Sequence, residues 1–278
     1  MCIVLTENRR FDGGVYLCRR TALATTLTRR EGQVRIWEMF PDLFAAVHKS
    51  HEEVGLVGHH DWVHAARVGQ IAYQIGLNET DKQTAELAGV AGLCHNADKV
   101  IQKKLGVGRR EVPTDETSRL VKSWLMTETR PSAYGHVPEP VFGYYGPEVD
   151  AIVAAVLGHD GKNSSNDSPV LIALMDADRI VNLDGDLFAR SGQHYADLPV
   201  VDYKHFLDDP EATYQAPRTV FRDIAYSLDW VDSESGVCIR TQLGKLLAAK
   251  RAAIFRLVTD GLRDQLEEEG IIPYPFGD

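Results

Sequence analysis

The chain has few cysteines, no excess of positive charge and no long apolar run, and each shortage removes a class of function. Its 4 cysteines, Cys2, Cys18, Cys94 and Cys238, show no ligand spacing. Neither a disulfide framework nor a thiolate metal site is expected, and Cys94, inside an apolar run, reads as a small core residue. With 30 Lys and Arg against 40 Asp and Glu, the formal charge is −10 and the pI near 5.5. That balance excludes a surface built for a nucleic-acid duplex, because phosphate backbones are held by clustered cations. A small phosphorylated substrate stays allowed. No stretch reaches the roughly 18 apolar residues of a membrane span, and residues 2–5 are too few for a signal peptide. A cytoplasmic protein with no membrane partner is the expectation.

What the chain does have is polar side chains set into apolar helical stripes. In His60-Asp61-Trp62-Val63-His64-Ala65-Ala66-Arg67-Val68, positions four apart share a face, so His60 and His64 lie together on a stripe continued by Arg67, Val68, Ile71 and Ile75. An imidazole in such a stripe loses water. It becomes either a satisfied core histidine or a metal ligand held by a neighbour at its second nitrogen. Two later segments have the same character. Leu87 and Ala91 lead at helical spacing to His95, and Leu174 and Met175 precede Asp178 on a face otherwise fit for burial. A buried carboxylate without a cation is costly, so three inward polar groups on three helices suggest one shared centre.

In this order and spacing, the opening run, Leu93-Cys94-His95-Asn96 and Asp176-Ala177-Asp178-Arg179-Ile180 resemble the HD superfamily of metal-dependent phosphohydrolases. The likeness is to small bacterial HD hydrolases with an HDxxHxxRV opening and a DADR third motif. It covers residues 36–190 and, through Gly244-Lys245-Leu246-Leu247-Ala248-Ala249-Lys250-Arg251, residues 241–270. The resemblance implies an all-α HD-domain helical bundle with a long C-terminal helix, and a divalent metal ion on His64, His95, Asn96 and Asp178. Here the chain departs from the family pattern, since Asn96 stands where the pattern has Asp. An amide oxygen coordinates without charge, so weaker metal binding is expected. Asp98, three residues after His95, is a rival source of the missing charge.

The implied activity is hydrolysis of a phosphoester or phosphoanhydride in a small nucleotide-like substrate. Water made acidic by the ion is the nucleophile, and Arg67, Lys99 and Arg179 meet the phosphoryl oxygens. His60, Asp61, Lys99 and His159 are the candidates for moving protons or acting beside the metal. Two rival functions remain: a non-catalytic HD module that binds a nucleotide or protein partner, and an HD-fold di-iron oxygenase. Homo-oligomers fit any of these.

Along the chain, residues 1–33 form an N-terminal extension outside the resemblance, with a short β-hairpin expected about Phe11-Asp12-Gly13-Gly14. The HD-type domain spans 34–278, with a core over 36–190, an excursion over 184–217 and closing helices over 218–269. Helical character starts near Val34 and runs to His51, which is given no role. Gly76-Leu77-Asn78 reads as the end of the His64 helix. Lys103, Lys104, Arg109 and Arg110 offer further cations for phosphate. The Pro- and Tyr-rich stretch 127–147, with Tyr134 and His136, reads as a candidate lid. The excursion reads as irregular. In the last helix Leu243, Leu247, Arg251, Ile254, Val258 and Leu262 form one stripe, and Arg251 within it must meet an anion.

Overall fold

In a computed structural model, residues 34–130, 139–143 and 146–277 are described; the expected N-terminal hairpin, and Tyr134 and His136 of the candidate lid, lie outside them. The helices run in the order α1 (Ile36–Met39), α2 (Pro41–Glu53), α3 (Trp62–Glu79), α4 (Lys82–Cys94), α5 (Ala97–Leu105), α6 (Thr114–Leu125), α7 (Pro147–Gly158), α8 (Pro169–Val181), α9 (Leu187–His194), α10 (Val220–Tyr226) and α11 (Gln242–Glu268). Among the described residues the strands are β1 (Thr129–Arg130) and β2 (Glu139–Pro140), an antiparallel pair with Thr129 opposite Pro140. The domain is therefore all-α, as the periodicities predict.

The three helices that carry or lead to His64, His95 and Asp178 each start on a side-chain cap. Asp61 accepts from the backbone N–H of His64 at 2.8 Å and opens α3. Asp81 does the same for α4 and Ser168 for α8. Such a cap satisfies a donor that the helix cannot, and losing it costs about 1 kcal/mol. Pro41 splits the single helix expected over 34–51 into α1 and α2, because its ring is tolerated only in a first turn. The buried Glu128 then caps α2 through the N–H groups of Asp42 and Leu43, both at 3.0 Å.

Helices α3 and α4 meet along a seam of small residues. A Cβ placed on Gly92 would lie 2.6 Å from the Cα of Gly69, and one on Gly76 would lie 2.5 Å from the Cα of Ala85. Gly76 is thus a close-packing residue inside α3, which continues three residues past it, and not the helix end its flanks suggested. The core continues through Leu93 of α4, Ile152 of α7 and Leu174 and Ile180 of α8, each 0% exposed. Every such side chain contributes about 1.5–3 kcal/mol by leaving water.

Two further expectations are corrected. The excursion over 184–217 contains α9, whose buried Leu187 and Ser191 pack it onto the domain. In α11 the buried face is Gly244, Ala248, Ala252, Phe255, Thr259 and Leu266, while Ile254 and Val258 are exposed. Small residues let that helix approach its neighbours closely, which a reading that favours large aliphatics overlooks.

The α3–α4 seam gives a first expected outcome. Gly92→Ala forces backbone against backbone and lowers stability by about 1–3 kcal/mol, read as a fall in the urea midpoint. Gly185→Ala, with nothing within 4 Å of the added Cβ, leaves the midpoint almost unchanged.

Candidate metal centre

His64 projects from the first turn of α3, His95 follows the last residue of α4, and Asp178 lies in the last turns of α8. One ligand atom from each falls within 4.8 Å of the other two. His64 Nε2 is 3.1 Å and His95 Nε2 3.8 Å from the same Asp178 oxygen, Oδ1, and the two rings stand 5.1 Å apart. Both histidines are buried, at 3% and 1% exposure. The three helices named by their inward polar groups do converge on one point.

The protonation states favour a cation. Burial pulls the His95 imidazole down to about 3, against the opposing pull of Asp178, so it is neutral at physiological pH. For Asp178 burial acts upward, but the hydrogen bond from His64 and the nearby imidazoles outweigh it and hold the carboxyl well below its usual range. His95 Nδ1 donates to the Gly92 carbonyl at 2.7 Å, which leaves a lone pair on Nε2. That nitrogen is buried and has no hydrogen-bond partner among the described residues. Asn96 is likewise buried, at 1% exposure, with its amide nitrogen unpartnered. A neutral histidine with an orphaned nitrogen, a second imidazole and an ionised carboxylate at this spacing fit a divalent ion.

His159, at the end of α7, repeats the device. Its Nδ1 donates to the Val156 carbonyl at 2.6 Å, and its ring lies 5.3 Å from that of His95. Next to it, Asp160 is held at about 2; burial acts upward on it, and His159, Lys99 and Arg109 outweigh that effect. The buried Lys99 is the one cation of the expected phosphate-binding three beside this group. Its Nζ is 2.6 Å from Asp98 and 3.8 Å from Asp160, and Arg109 reaches Asp160 at 2.5 Å.

The other expected residues sit elsewhere or do structural work. Arg67 is bound to Asp184 and, at 2.7 Å, to Asp186. Arg179 donates to Asn163 at 2.7 Å and to the Gly161 and Cys238 carbonyls, fastening the loop before α8. Asp61 is the α3 cap, and the half-buried His60 lies edge-on to His64 with ring centres 6.3 Å apart. Arg251 meets its anion: Asp184, at 2.9 Å.

Two residues near the site escaped the sequence reading. Tyr214, in the excursion and 54% exposed as a whole, has its phenol pushed up to about 12 by partial loss of water around the hydroxyl and by the charges of Asp178 and Asp160. Its loop shows no periodicity that would single it out. His51, on α2, is fully buried with neither ring nitrogen bonded among the described residues; its place on the α2 stripe with Val47 was the available signal. A cleft of about 660 Å³ is lined by Asp202, His205, Asp209, Arg218 and Tyr274 and shares no residue with the candidate metal cluster.

No family model and no curated protein matches the chain. A structural-genomics crystal structure from Lactobacillus plantarum matches 83% of this chain and 98% of its own at 15% identity, with a TM-score of 0.51. The likeness is one of fold alone. Among the described residues no helix is long and apolar enough to cross a membrane.

His51 carries a pH prediction. Burial lowers its pKa from 6.5 to about 4, against the pull of Asp61. Between those values the unfolded chain binds a proton that the folded one refuses, so stability is lost as pH falls through that window, by at most about 1.4 kcal/mol per pH unit. His51→Leu removes this contribution, and urea melts in chelator from pH 7 to 4 should show a shallower acid loss than the wild type.

Proposed function

We propose that the protein is a metal-dependent hydrolase of a phosphoester or phosphoanhydride in a small, nucleotide-like substrate. The observation that carries this reading is the meeting of His64, His95 and Asp178, from three helices, at one buried point with His95 Nε2 left orphaned. The resemblance of the same residues to the HD motifs supports it. His64, His95 and Asp178 would hold a divalent ion, with the Asn96 amide as an uncharged fourth ligand. Such an ion supplies Lewis acidity, drawing charge from a phosphoryl oxygen and lowering the pKa of a bound water toward neutrality.

The chain's own groups account for the rest. Lys99, buried and held by Asp98 and Asp160, offers its ammonium to phosphoryl oxygens, which compete with those carboxylates for it. Arg109 shares Asp160 and adds a second cation at that rim. His60 lies in the short 3-10 turn before α3, not on the helical stripe expected for it, with its ring centre 6.3 Å from that of His64 and part of its surface in solvent, placed to give a proton to the leaving oxygen. Asp61 positions by capping, since its carboxylate holds the His64 backbone. Arg67 and Arg179 brace the walls through their own bonds.

A second reading has a specific observation in its favour. With Asn96 the cluster has one carboxylate, and a module that binds a phosphorylated ligand without turning it over needs no more. Metal content and turnover separate the two. Manganese, cobalt or nickel should co-purify near one per chain and fall to background in His64→Ala, His95→Ala and Asp178→Ala. Asn96→Asp adds a charge and should tighten the metal by at least about tenfold, or 1.4 kcal/mol. A screen of phosphorylated metabolites with each metal reads activity. Absence of metal and of turnover in both the wild type and Asn96→Asp sinks the hydrolase.

A further inference from the structure

Helix α11 turns to solvent a face on which large aliphatic side chains stand among charges of both signs. Leu246 is 68% exposed and Leu257 74%, with Ile254 at 50% and Val258 at 37% on the flank. Single exposed aliphatics are ordinary; a row of them along one helix marks a contact surface. The outermost positions of this face are Leu246, Lys250, Ala253, Leu257, Asp260 and Asp264, which follow one another in alternating steps of four and three. That is the spacing of a two-helix seam, in which each side chain stays turned toward the partner along the whole length.

The charges say what the partner is. The first half of the seam carries Lys250, with Lys245 beside it, and the second half carries Asp260 and Asp264. Among the described residues, Lys250, Asp260 and Asp264 make no ion pair within the chain. A parallel pair of these helices would set Lys250 on Lys250 and Asp260 on Asp260. Reversing one helix about Phe255 instead brings Lys250 opposite Asp260, Ala253 opposite Leu257 and Ala249 opposite Gly261, and at the two ends Leu246 opposite Asp264, where the carboxylate stays at the edge of the seam. Opposite charges meet, the large Leu257 faces a small residue, and two small residues let the backbones close. Every one of these contacts occurs twice, as a two-fold axis requires. Arg251 does not intrude, because it is tied to Asp184 and the Ile180 carbonyl.

We propose that two copies of this chain associate through α11, antiparallel, with the two-fold axis at the level of Phe255. The inference is independent of the metal reading, since no residue of the seam belongs to the cluster.

Sedimentation equilibrium of the full chain over a concentration series tests it. The wild type is expected to form a reversible dimer. Leu257→Glu is expected to be monomeric, with helical circular dichroism and metal content unchanged. Lys250→Glu is expected to be monomeric as well, and the double variant Lys250→Glu/Asp260→Lys to recover the dimer, because the exchanged charges again face each other. A wild type that stays monomeric throughout, or a dimer that survives Leu257→Glu, overturns the proposal. So does a double variant that fails to recover when Lys250→Glu alone dissociates the dimer, because the antiparallel register is then wrong.

Discussion

An ionised carboxylate enclosed by imidazoles is the constraint from which this domain follows. Asp178 would be costly to bury alone. It is kept charged because His64 donates to it at 3.1 Å and Asn182, one turn along α8, donates to the same oxygen at 3.1 Å. His64 reaches Asp178 from α3 to α8, and His95 joins them from the end of α4, which lies close to α3 at Gly69 and Gly92, where a side chain on either would strike the other backbone. The site and this close helix contact are thus one design. Removing the space for a methyl group on α4 is what brings the His64 and His95 rings within 5.1 Å.

A second carboxylate, Asp184 in the turn after α8, also gathers partners: it takes Arg67 from α3 and Arg251 from α11, and so ties two helices to that turn through one acid. A group placed this way adds little net stability, since two cations and an anion all lose water; its use is to fix which helices meet and in what register. Asp176, fully buried, plays the same part for the start of α11 by accepting the Arg240 and Thr241 N–H groups at 2.9 and 2.7 Å. Alternate residues of the Asp176-Ala177-Asp178 run therefore do different work, one holding the start of α11 and the other belonging to the candidate metal cluster.

These roles divide what could be read in the chain from what could not. His64, His95 and Asp178 were legible because a polar side chain on an apolar helical stripe is expensive and demands company, and that cost is local to the sequence. Arg67 and Arg179 invited the wrong company. As cations beside ligand residues they suggest phosphate, yet their partners lie 117 and 16 residues away, and spacing does not reveal a pairing of that range. Asp61 looked like chemistry and is a cap, although the residue before an amphipathic run is the usual capping position. The buried face of α11 was hidden for a different reason. Gly244, Ala248 and Ala252 carry little hydrophobicity, so a stripe sought by large aliphatics lands on the exposed flank, and only the packing of the helix shows which side the small residues serve.

The ligand set also bears on which ion suits the cluster. Magnesium and calcium are held by oxygen and by charge count, and here two of the four candidate ligands are imidazoles and one is a neutral amide. Borderline metals such as iron, cobalt, nickel and zinc accept nitrogen readily and depend less on a second carboxylate. Replacing the expected aspartate with Asn96 lowers the negative charge of the centre by one and leaves the nitrogen donors intact, so the substitution discriminates among ions more than it abolishes binding. It also spares Lys99, which sits next to the cluster with Asp98 and Asp160 already around it. On the proposed reading, a centre with fewer negative charges of its own would repel an anionic phosphoryl group less, and Lys99 would add a cation beside it.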